Sequence, residues 1–153
     1  MNNKNTVMTI DKNEKFTTAY RAVLTGVFVG IADALISLIF NIAYRAAGAD
    51  FPQDLINVSY LIFGTVFLFF VVGLIFMSLH LLSQKGSLVF IVLFATLTLI
   101  GYVAIGSAHL ADSDIENLRY RGILRGLVLI DGISAAVFIP YFYNSSKFQE
   151  YIV

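Results

Sequence analysis

Polar positions in this chain gather at the ends of long apolar stretches instead of alternating with them. Four stretches, residues 22–43, 58–82, 88–110 and 122–143, are almost free of charge. A helix rises about 1.5 Å per residue, so about 20 residues cross a hydrocarbon core about 30 Å thick. Each stretch is long enough. Backbone groups in lipid must be bonded within their own segment, so all four read as helices rather than strands. The expected fold is an all-α integral membrane protein: an antiparallel bundle of four transmembrane helices, at about residues 17–46, 53–82, 87–111 and 114–144, joined by short loops.

The boundaries carry their own signals. Gly48 follows the first helix, and Asp50-Phe51-Pro52 reads as a cap and first turn opening the second. Ser83-Gln84-Lys85-Gly86-Ser87 reads as a tight hairpin. Ser113-Asp114-Ile115-Glu116 has the spacing of a capping box, which starts the fourth helix before it enters the membrane. Residues 1–15 read as a polar tail without fixed structure, too charged to insert, and 16–153 as a single membrane domain. The tail lacks a signal-peptide pattern, so the first helix is expected in the mature protein.

Composition fixes the class. The chain is 58% hydrophobic and 13% charged, with a mean hydropathy of +0.81, whereas soluble domains hold about 45–50% apolar and about 25% charged residues. Ten basic residues balance ten acidic ones without a basic run, which argues against a nucleic-acid partner. Cysteine is absent, excluding disulfides, thiolate metal sites and cysteine nucleophiles. His80 and His109 close helices 2 and 3 at opposite ends, too far apart to share one iron. No cofactor and no bound metal are expected.

Lysine and arginine counts set the orientation. Lys4, Lys12, Lys15, Arg21, Lys85 and Lys147 fall on one side, and Arg45, Arg119, Arg121 and Arg125 on the other. This balance favours both termini in the cytoplasm, with the plasma (inner) membrane as the expected location. Tyr20, Tyr44, Tyr60, Tyr120, Tyr141 and Tyr143 fall near the expected interfaces, as an aromatic belt does. Tyr102 lies deeper, where core packing accounts for it.

Information about function concentrates where a residue is expensive to bury. An ionisable group at the bilayer centre costs at least about 2.5 kcal/mol and is normally turned inward. Asp33 lies at the middle of 22–43, and Asp131 within about two residues, roughly 3 Å, of the middle of 122–143. An up-and-down bundle sets helices 1 and 4 side by side, so the two carboxyls can meet. In contact they cannot both be ionised cheaply; they share a proton and titrate as a pair. That suits a proton relay or a cation site. A neutral Asp that hydrogen-bonds between helices and fixes their register is the structural alternative.

Gly26, Gly30, Asp33, Ser37, Asn41 and Tyr44 recur at helical spacing and form one face of helix 1. Its glycine end allows another helix to approach closely, and Gly122 and Gly126 offer the same on helix 4. Past Asp33 the face is polar, and Arg121 and Arg125 enter from that side. The candidate polar site is therefore Asp33, Ser37, Asn41, Arg125 and Asp131, read either as a half-channel or as a packed helix seam.

No Walker loop, nucleophile elbow or His-Glu-x-x-His occurs, and the Asp pair lacks the motif contexts of intramembrane aspartyl peptidases. The expected role is non-enzymatic. One form of it is an accessory or scaffolding subunit, whose partners are the lipid bilayer and either copies of itself or a larger membrane complex. The alternative is a small proton- or cation-conducting transporter or channel using Asp33 and Asp131.

Overall fold

A computed structural model describes residues 3–47, 57–83, 85–109 and 113–152, with the side chains of 18–47, 57–83, 85–109, 113–148 and 150. Every regular element among them is helical: α1 (Asn3–Ala46), α2 (Val58–Leu82), α3 (Gly86–Ser107), α4 (Asp114–Ile133), a π-helical segment (Ser134–Phe138), α5 (Ile139–Asn144) and α6 (Ser146–Ile152). Four stretches, Thr18–Ala46, Val58–Leu82, Gly86–Ser107 and Asp114–Asn144, are long and apolar enough to cross a membrane.

The boundaries differ from expectation in instructive places. The α1 backbone stays helical back to Asn3, through residues read as an unstructured tail. No glycine or proline precedes Gly26, so nothing local stops the helix. The second helix starts at Val58 rather than near residue 53, because Asn57 is extended and its side chain accepts the Ser59 N–H at 3.0 Å, a true N-cap. The Asp50-Phe51-Pro52 signal and Gly48 lie outside the described residues. α3 stops at Ser107, since Ala108 turns extended. Ser113 caps α4 through the Glu116 N–H at 3.2 Å, at the spacing the sequence carries.

α4 widens into its π segment just before Pro140. Proline has no N–H, and its ring crowds the carbonyl four residues back; the wider turn relieves that crowding. Ser83 and Gly86 close the turn between α2 and α3, the Gly86 N–H donating to the Ser83 carbonyl at 2.9 Å. A Cβ at Gly86 would strike the Leu79 carbonyl and His80, so the turn requires glycine.

Two apolar clusters form the interior. The larger gathers Ala22, Val29, Phe69, Phe76, Phe90, Ile139 and their neighbours. The smaller joins Tyr120 and Ile123 to Phe40, Tyr44, Leu124 and Leu127. α1 and α2 meet at glycine: a Cβ on Gly26 would lie 2.7 Å from the Phe69 carbonyl and 2.9 Å from Gly73 Cα. α3 fully buries only Gly86 and Phe90; Phe94 packs half-buried against the larger cluster, and most of the other apolar side chains of α3 are exposed. Tyr120 and Tyr143, expected in the interfacial belt, are buried in these clusters, whereas Tyr20, Tyr60 and Tyr141 are exposed.

Candidate functional site

The polar face of α1 is turned inward. Asp33 and Ser37 are each 1% exposed and Asn41 is 4% exposed. From α4, Asp131 meets Asp33, the two acting on each other both as charges and through their facing side-chain oxygens. Two carboxylates facing each other hold no donor. Their contact becomes a hydrogen bond only when one of them carries a proton. Without it, neither Asp33 oxygen has a partner among the described residues, nor has the Ser37 hydroxyl.

The level of this pair in the fold is decided by what lies above and below it. Along α1, Asp33 falls between Val29 of the larger cluster and Phe40 of the smaller one; along α4, Asp131 falls between Leu127 and Ala135. The carboxyls thus form a polar layer between two apolar plugs, where the low local dielectric strengthens any charge interaction.

Arg125 does not join them. Its Nε donates to the Tyr102 carbonyl at 3.3 Å, and its guanidinium lies 4.8 Å from the centroid of the Tyr102 ring, over Gly106, where a Cβ would strike it. Tyr102, read as core packing, is instead the platform for this cation. Arg121 likewise turns to α3, its Nε donating to the Ala108 carbonyl at 2.8 Å.

The glycines sort by partner. Gly26 and Gly30 face α2, Gly30 beneath the Phe69 side chain, while Gly122 and Gly126 receive the rings of Tyr44 and Phe40 from α1. On the side where a polar half-channel was one reading, those rings fill the space between α1 and α4. Tyr44 also reaches the Arg119 carbonyl at 3.3 Å.

No protein-family model, curated protein or solved structure matches the chain. Among the described residues no three His, Cys, Asp or Glu side chains gather where a metal would be held. His80 stacks on Phe76 at 5.8 Å and meets the Tyr143 ring edge-on at 4.8 Å. Asn57-Val58-Ser59 and Asn144-Ser145-Ser146 each match the short glycosylation pattern, but both asparagines are engaged locally: Asn57 caps α2, and Asn144 Nδ2 donates to the Pro140 carbonyl at 2.8 Å.

Other small and polar residues that the sequence did not single out are buried between the helices. Thr65 and Ser134 are buried, Ser134 one turn beyond Asp131. Gly73 supplies the α2 half of the close approach to Gly26. Small and hydroxyl residues are common throughout membrane helices, so only the helix pairing separates these from the rest.

Proposed function

We propose that the chain is a multi-pass membrane protein that moves protons, or a small cation in their place, through the Asp33–Asp131 pair. In this reading the four helices form an antiparallel bundle in the plasma (inner) membrane, with both termini in the cytoplasm. The observation that carries it is the state of Asp33. A carboxyl that only fixed helix register would have its oxygens satisfied, as most buried polar groups are. Asp33 is buried at the middle of its span, faced by a second carboxyl, and neither of its oxygens has a partner among the described residues unless that carboxyl carries a proton. A buried polar group without a partner costs about 2–7 kcal/mol. A proton shared between the two carboxyls relieves that cost, and a shared proton at this depth is the element a proton relay is built on.

The test is proton flux into liposomes loaded with a pH-sensitive dye. Asp33→Asn should abolish flux while the purified variant keeps its monodispersity and melting temperature, because an amide hydrogen-bonds but does not titrate. Unchanged flux sinks the transport reading. Asp33→Leu separates the alternative: a purely register-fixing Asp tolerates Asn and loses thermal stability with Leu.

An accessory or scaffolding role is the second reading, favoured by the outward face of α3, where Leu97, Leu99, Ile100 and Val103 are each at least half exposed. The mass of the complex extracted gently from native membranes tests it. A stoichiometric foreign chain supports the accessory role, and a monomer or homo-oligomer supports transport.

A further inference from the structure

Asp131 has a second side. Between α2, α3 and α4 runs a groove of about 240 Å³ walled by Leu68, Phe69, Val72, Phe94 and Leu97, in which Asp131 is the one ionisable residue among the described lining. Leu68 and Leu97 are 45% and 50% exposed, so the groove opens on the outer, lipid-facing surface of the bundle.

Its chemistry selects an occupant. A groove with only apolar walls would be content with an acyl chain. A carboxyl in the wall changes this, because an ionised group in low dielectric is stabilised strongly by an opposite charge beside it. Among the described residues none supplies it: Arg125, the cation nearest along α4, is held on Tyr102. From α1 the group facing Asp131 is Asp33. α3 presents Thr98, whose hydroxyl donates to the Phe94 carbonyl at 2.7 Å, and α2 presents apolar side chains. The opposite charge must arrive with the occupant.

Size narrows it further. The space exceeds the roughly 150 Å³ of a cavity that accepts benzene and falls below the roughly 300–1,000 Å³ of sites for drug-sized molecules. One aromatic ring with a short ammonium-bearing arm fits, and the half-buried Phe94 lines the space for it.

We propose that this groove admits a small arylalkyl ammonium ion from the bilayer, its ring among Leu68, Phe94 and Leu97 and its cationic head on Asp131. The inference rests on the transport reading of the carboxyl pair and names the substrate class for the same site. Proton and ammonium compete for Asp131, so one positive charge displaces another and each cation bound releases the proton the pair had held.

The probe is benzyltrimethylammonium, titrated calorimetrically into the full chain in detergent micelles, in two buffers of different ionisation enthalpy to count released protons. Saturable binding with proton release is expected. It should weaken at least tenfold in Asp131→Asn, and equally in Gly101→Leu, which fills the groove without touching the carboxyl; a Cβ at Gly101 meets only Val128, at 3.4 Å. Gly64→Ala, at a position with nothing within 4 Å, should bind as the parent does. No saturable binding by a parent protein that conducts protons overturns this inference alone. Binding unchanged in both groove variants also overturns it, since the cation then sits elsewhere. Binding by a parent protein without proton flux supports the groove and overturns the transport reading.

Discussion

Gly26 shows how much can hang on one hydrogen atom. Its missing side chain lets α1 and α2 meet backbone to backbone, with the Phe69 carbonyl and Gly73 Cα inside the distance a Cβ needs. Backbone cannot swing aside as a side-chain tip can. Gly26→Ala should therefore destabilise the fold by about 1–3 kcal/mol, the range for overpacking a filled interior. Gly64→Ala, in open space on the same α2 helix, should stay within about 0.5 kcal/mol. Thermal melts in one detergent compare the two, and equal losses would sink the close-approach argument. The glycine spacing was legible in the sequence, but its partner was not. The same holds for the charged residues. Asp33 and Asp131 stand out because any carboxyl at the middle of a span does. Arg125 enters from the polar side of the sequence pattern, yet it settles on Tyr102 and not on the carboxyls. Spacing along one helix carries no information about what the neighbouring helix offers, and an aromatic face with a backbone carbonyl beside it met the guanidinium first.

The helix ends were the most readable part of the elements. Ser113 accepts the Glu116 N–H, and α4 begins there because that bond satisfies a donor the helix cannot. Ser113→Ala should lower stability by about 0.5–2 kcal/mol and Ser113→Asp should restore it, since a carboxylate caps equally well. Circular dichroism melts check both, and an unaffected alanine variant would deny the cap its role. The π segment before Pro140 was harder to anticipate. Proline announces a disturbance, but a kink, a break or a wider turn each relieve it. The neighbours decide: here Ala135 and Ile139 stay in the larger apolar cluster across the widened turn. α1 went the other way. Its charged first residues looked unfit for structure, yet without glycine or proline the helix continues toward the terminus.

Orientation belongs to the assembled protein. The absence of native cysteine makes single-cysteine variants clean reporters. Lys85→Cys and Lys147→Cys should react with a membrane-impermeant maleimide only after cells are opened, whereas Ser113→Cys should react from outside. Lys85→Cys and Ser113→Cys labelling from one side would remove the four-span topology on which the proposed function stands. Membrane class and the four apolar segments follow from composition and segment length, because the cost of burying backbone and charge in hydrocarbon is local and large. So does the depth of Asp33 and Asp131, which is counted along the chain. Their meeting, the loss of Arg125 to α3, the rings of Phe40 and Tyr44 seated on Gly126 and Gly122, and the groove beside Asp131 all depend on how the helices face one another. In an all-apolar segment every face is equally fit for lipid, so hydrophobicity does not choose which one turns inward. Packing makes that choice, through a few glycines and the rings that fit them.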